Sequence, residues 1–258
     1  MHETVTGEGG ARVRSACLRP CKSEFLKTRS FPAMAFTAVA IVAFSAAASA
    51  YLTYMVWSRP EGAVGLAPSS AYQIALPMEQ VGFALMGALV VYMDESSGLR
   101  SAFLAVPRRG EVLAAKVAAS AVWSALTAGL AVGVAYAART AALAFVGADP
   151  AVPAVGYVRM GGLVLWWVVL SVLVTCLSVL ARRSMPVLVL SLAMMLMLSS
   201  VLRGIWPAAA WLPDQLALCL YQPPASGDAW LPSALAGLGA WMSASLAGAG
   251  LSIARWRP

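Results

Sequence analysis

The apolar runs of this chain are too long and too many for a water-soluble fold. A bilayer core of about 30 Å calls for roughly 20 consecutive apolar residues in a helix that rises about 1.5 Å per residue. Six windows suit that requirement: Ala33–Trp57, Ile74–Met93, Val112–Ala138, Met160–Ala181, Met185–Val201 and Pro232–Ala254. Lipid offers backbone groups no water to bond, so each window is expected to be helical and to close its own hydrogen bonds. Composition agrees, because the 258 residues are 60% apolar and only 11% charged. A soluble domain is nearer half apolar and about a quarter charged, and so few charges cannot clothe a soluble globule of this size. The expected fold is an all-α polytopic protein of the cell (plasma) membrane with six transmembrane helices.

Positive charge sets the expected orientation. With the N-terminus cytoplasmic, 14 of the 18 Lys and Arg residues fall in inside segments and only Arg59, Arg139, Arg159 and Arg203 fall outside. Both termini are therefore expected on the cytoplasmic side. Residues 1–22 read as a flexible polar tail, and residues 23–258 as one six-span transmembrane domain. The net charge of +7 does not point to nucleic acid, because the cations sit in short clusters between apolar runs and form no stripe interleaved with aromatics.

Little in the chain suits catalysis. Cys17 and Cys21 form a C-x3-C pair with no second pair, and the single histidine, His2, lies at the terminus, so no metal site is expected. There is no Gly-x-x-x-x-Gly-Lys-Ser/Thr to cradle phosphates, no His-Glu-x-x-His and no Gly-x-Ser-x-Gly, so no catalytic residue and no cofactor is assigned to this chain.

The densest charge lies in MDESSGLRSAFLAVPRRGEVLAAK, Met93–Lys116, between the second and third windows. Between Ser96 and Val106, Leu99, Ala102, Phe103 and Val106 share one helical face, and Pro107 ends the helix or bends the chain. The segment reads as a short amphipathic cytoplasmic helix. It is either an anchor lying on the membrane or a knob that docks a soluble partner.

Three stretches of this sequence resemble type-2 ABC exporter permeases. VPRRGEVLAAK (Val106–Lys116), preceded by an acid and SSGLR (Ser96–Arg100), is similar to the cytoplasmic loop after their second span. SEFLKTRS (Ser23–Ser30) resembles their Glu-aromatic-x-Lys-x-Arg elbow helix, which lies on the inner leaflet, and WLPDQLALCL (Trp211–Leu220) is similar to the outer segment before their last span. The resemblance implies a coupling helix that meets a separate ATPase through Asp94, Glu95, Leu99, Phe103, Val106, Pro107, Arg108 and Arg109. It implies an elbow helix carrying Glu24, Phe25, Lys27 and Arg29. The acid-to-proline stretch is shorter here than the common pattern, so the motif's acid matches either Asp94 or Glu95.

The same resemblance implies a transport subunit that hydrolyses nothing itself. ATP and Mg would bind on the partner ATPase subunits, and a second permease chain, either a copy or a paralogue, would complete the pathway for an amphiphilic drug, antimicrobial peptide or lipid-like molecule. Two other readings are a membrane receptor or scaffold without transport activity, and a secondary transporter driven by ion gradients.

Within the windows, Glu79 is the costliest residue, since a mid-bilayer carboxylate is unfavourable by about 2.5–3.5 kcal/mol or more. It stands near the outer end of the second window beside Gln80. It either reaches interfacial water or lines, with Gln80, a substrate path open to the outside. Gly129 and Gly133, spaced G-x-x-x-G, are expected to allow close helix approach in the third window, either within the bundle or at a dimer seam. The outer stretch Gly204–Leu231, with Trp206, Trp211, Tyr221 and Trp230 among prolines, suits an interfacial belt or a short re-entrant helix.

Overall fold

The computed structural model describes residues 23–57, 68–97, 109–145, 147, 154–221 and 230–255. Everything described is helix or the turns between helices. A short helix α1 covers residues 23–30. It is followed by α2 (Pro32–Trp57), α3 (Pro68–Ser97), α4 (Arg109–Phe145) and α5 (Ala154–Ala181). Then come α6 (Ser184–Ile205), a 3-10 turn (Pro207–Trp211), α7 (Pro213–Tyr221) and α8 (Trp230–Ala254).

Five of these helices, α2, α4, α5, α6 and α8, are long and apolar enough to cross a membrane. The chain is thus a multi-pass membrane protein by length and composition. The second expected window falls on α3, which is 30 residues long and carries the polar side chains of Glu79, Gln80, Asp94 and Glu95.

Hydroxyls and small residues set the packing. Ser45 and Ser49, one turn apart on α2, donate to the Ala131 and Ala135 carbonyls of α4 at 3.0 and 2.9 Å. The matching order makes α2 and α4 parallel. On α3, Phe83 stacks on Trp167 of α5 with centroids 4.7 Å apart. One turn on, Gly87 lies so close to α5 that a Cβ there would overlap the Ser171 carbonyl. The Thr175 hydroxyl of α5 is 3.0 Å from the Gly87 oxygen and 3.0 Å from Ser120 Oγ of α4. Ser120 Oγ is in turn 2.9 Å from Ser171 Oγ. Each such bond is worth about 0.6–2 kcal/mol in a membrane. The outside of the bundle is apolar, as lipid requires: Phe36, Met197 and Phe145 are 79, 75 and 86% exposed.

Gly129 and Gly133 do not bring helices together within this chain, because a Cβ at either would meet nothing within 4 Å. They belong to the outer face of α4 that also carries Leu126 and Leu130, 54 and 61% exposed.

The helix ends fall at two levels. The end of α3 and the start of α4 meet α1, and Glu95 of α3 meets Ser184 at the start of α6. Ser252 near the end of α8 donates to the Leu180 carbonyl near the end of α5 at 3.4 Å. These ends form the proximal end of the bundle. At the distal end, the Trp241 indole of α8 donates to the Trp211 carbonyl at 2.8 Å, beside α7. The long helices alternate in direction, so residues 23 and 255 share the proximal end.

Candidate functional site

At the proximal end the sequence of α1 places Glu24, Lys27 and Thr28 on one face, three and four residues apart. Lys27 pairs with Asp94 at the end of α3, and Asp94 also pairs with Lys116 in the second turn of α4. The Lys116 ammonium is 3.3 Å from Glu24 Oε2, back on α1, and 3.4 Å from the Val90 carbonyl oxygen. Two acids thus alternate with two lysines in a chain that starts and ends on α1. The Asp94 residue is 0% exposed and Lys116 1%.

Taking ions out of water costs several kcal/mol each, and only close pairing offsets it. Here the charges balance two against two. Burial acts to raise the Asp94 carboxyl, but the ammonium groups of Lys116 and Lys27 outweigh it and hold the carboxyl below its ordinary range.

Beside these ions α1 is fastened to α4 by neutral contacts. The Trp123 indole donates to Thr28 Oγ1 at 2.9 Å, and Phe25 stacks on the Trp123 ring at 5.6 Å and 18°. Arg29 is exposed.

The neighbouring acid has a different partner. Adjacent helical residues point about 100° apart, so Glu95 turns away from α1 towards α6. Its Oε1 accepts the Ser184 N–H at 2.5 Å. That N–H is one of the donors a helix N-terminus leaves without an intrahelical partner. The connection from α5 is only two residues long. Arg182 adopts φ 59°, the left-handed conformation that ends helices, and Arg183 is extended at φ −149°.

Of the residues expected to form the coupling helix, Asp94 and Glu95 are placed on the last turns of α3, which runs on through Ser97. Leu99, Phe103, Val106, Pro107 and Arg108 lie outside the described residues. Arg109 opens α4. Sequence reasoning passed over Thr28, a small polar residue inside the SEFLKTRS stretch, and Trp123, which looks like any other apolar residue of its window. Lys116 was visible as the last residue of the resembling motif, but its burial was not.

At the distal end Glu79 and Gln80 part company for the same angular reason. Glu79 is 3% exposed and faces α2 beside Ser45. Ser45 already donates its proton to Ala131, and neither Glu79 oxygen has a hydrogen-bond partner. Gln80 instead lines a cavity of about 230 Å³ between α3, α6 and α7, where its amide donates to the Tyr221 hydroxyl at 3.4 Å.

No protein-family model matches the sequence, and comparison with curated proteins gives no match either. What the chain does must therefore be argued from its own geometry.

Proposed function

We propose that this chain is the membrane-spanning permease subunit of an ATP-driven ABC exporter. It would work with a separate ATPase subunit to move an amphiphilic substrate out of the cell. The observation that carries the reading is that segment 98–108 is bracketed by two buried ions, Asp94 and Lys116, which pair with each other and with α1. A load applied to that segment reaches α1, α3 and α4 together, and through Glu95 it reaches α6. An anchor that merely rests on the membrane needs no such bracing.

In this reading the proximal end is cytoplasmic, in keeping with the distribution of Lys and Arg. Leu99, Phe103 and Val106 fill a groove on the ATPase, which binds ATP and Mg, and a second permease chain completes the pathway. The test is to look for a Walker-motif ATPase encoded beside the chain, copurify the two and measure vanadate-sensitive hydrolysis; the absence of such a neighbour would favour the scaffold reading. Phe103→Asp is expected to abolish copurification without affecting membrane insertion. A complex that survives this change with full hydrolysis would sink the reading.

One observation favours a second reading. A buried carboxyl without a partner, such as that of Glu79, is what an ion-coupled secondary transporter uses. Nucleotide-independent uphill movement of a solute by the chain alone in vesicles would select it.

A further inference from the structure

We propose that the distal cavity between α3, α6 and α7 is a binding site for a cationic amphiphile, with the cation held at Asp214 and Tyr221 and the alkyl part leaving sideways between α3 and α6. The inference deepens the exporter reading by naming a substrate class. The export role rests on that reading, whereas the binding site does not.

The cavity is built by local departures from regular helix. In α6, residues Met194–Leu198 form a π turn, a widening common at functional sites. It brings the consecutive side chains Met195 and Leu196 both onto the cavity wall. Across from them, α7 is pinned to the end of α6 through one side chain. Gln215 accepts from Arg203 at 2.9 Å and its amide reaches Ser199 at 3.2 Å and Asp214 Oδ2 at 3.0 Å. Arg203 gives one Nη1 hydrogen bond to Gln215 and does not line the cavity.

Asp214 is therefore the one charged group on the wall among the described residues. Its Oδ1 has no partner among the described residues, and no cation there lies within ion-pair distance of it. Glu79, which stands between the wall residues Met78 and Gln80 in sequence, faces α2. An uncompensated carboxylate in a partly desolvated hollow attracts a cation far more strongly than it would in water.

Tyr221 adds an aromatic face, which favours an ammonium group. Burial pushes its hydroxyl up to about 12, so it stays protonated and does not add a second negative charge. Met195 and Leu218 supply the apolar wall. The volume, about 230 Å³, is below the ~300–1,000 Å³ of sites that enclose a drug-sized ligand. It suits a head group and the first methylenes. The rim residues Met78 and Leu196 are 59 and 52% exposed, which leaves the rest of the ligand a lateral exit along the apolar outside of the bundle.

The test places the chain in phosphatidylcholine nanodiscs and titrates it with radiolabelled dodecyltrimethylammonium, with empty nanodiscs as the reference. Unlabelled dodecyltrimethylammonium, dodecyl sulfate and dodecyl maltoside serve as competitors. The expected result is a saturable component of roughly one ligand per chain, displaced by the cation and by neither of the others at equal concentration. Affinity should fall at least about tenfold in Asp214→Asn and likewise in Leu218→Trp, which fills the cavity. It should persist in Asp214→Glu and in Ser243→Ala on the exposed face of α8.

Uptake no greater than by empty nanodiscs, or displacement by dodecyl sulfate as effective as by the cation, would overturn the proposal. So would unchanged affinity in folded Asp214→Asn. Should both cavity variants fail to fold, the competitor comparison on the unaltered chain decides alone. Adding the ATPase separates the two claims: saturable binding that leaves hydrolysis unchanged keeps the site and removes its export role.

Discussion

The two ends of this bundle handle buried charge in opposite ways. At the proximal end Glu24, Lys27, Asp94 and Lys116 close a balanced set around helix α1. At the distal end Glu79 has no hydrogen-bond partner, and Asp214 faces a cavity with one oxygen still open. A closed set of ions holds helices in fixed relation. An open carboxylate is a place for something else to bind. The difference teaches that the proximal end is closed on itself and the distal end is not; on the proposed reading the first would carry load and the second would receive a ligand.

The largest effect that would break this contrast is expected at Asp94. Asp94→Asn leaves Lys116 buried with half its compensation gone, and breaking a buried pair costs about 3–5 kcal/mol. Thermal melting in detergent should show a pronounced loss of stability. Asp214→Asn, at a half-buried site, should leave the melting temperature close to that of the unaltered protein. Equal losses at the two ends would erase the distinction.

Next in size is the seam between α3 and α5, which joins the two ends. Gly87→Ala places a methyl group on the Ser171 carbonyl and should cost about 1–3 kcal/mol through overpacking. Gly129→Ala, on the open face of α4, should stay within about 0.5 kcal/mol of the unaltered protein. A destabilising Gly129→Ala would point to a neighbour on that face.

Glu95 sharpens the account of the proximal end itself. Removing its carboxylate in Glu95→Ala takes away the partner of the Ser184 N–H, a loss of about 1 kcal/mol typical of helix caps. Hydrogen exchange should quicken at the start of α6 and remain unchanged in α1. Faster exchange in α1 as well would mean that Asp94 and Glu95 act as one unit. Among the changes that remove an interaction, Ser49→Ala should have the smallest effect, about 0.6 kcal/mol, the mean for an interhelical hydroxyl bond in a membrane.

Much of the fold was legible because its signals are long. An apolar window of some 20 residues survives any local exception, and the helices cover all six windows. Their ends were less legible. α4 runs beyond Val112–Ala138 at both ends, to Arg109 and Phe145, because a charged or polar residue can continue a helix past the apolar stretch that reveals it. The short helices Pro207–Trp211 and Pro213–Tyr221 fall within the segment whose prolines and aromatics suggested them.

The site was legible in part. Glu24, Phe25 and Lys27 were singled out only through the resemblance carried by SEFLKTRS, and all three make contacts at the proximal end. The roles of Asp94 and Glu95 could not be separated in one dimension, since adjacent residues differ only in the direction they point on α3. Gly129 and Gly133 could not be placed from their spacing, which is the same whether a glycine faces a helix of its own bundle or, as here, the bundle's outside. Trp123 was hidden by its window. A tryptophan that donates to a threonine on another helix looks, in sequence, like one that faces acyl chains.

The central claim is that the buried ions transmit motion from segment 98–108 into the bundle. It is tested most directly by ATP hydrolysis in the reconstituted complex with Asp94→Asn and Lys116→Met combined. This double change removes both deeply buried charges at once, while Lys27 and Glu24 keep their access to water, with side chains 38 and 15% exposed. The account predicts that the complex assembles but that substrate no longer stimulates hydrolysis. Full stimulation in the double variant would contradict it.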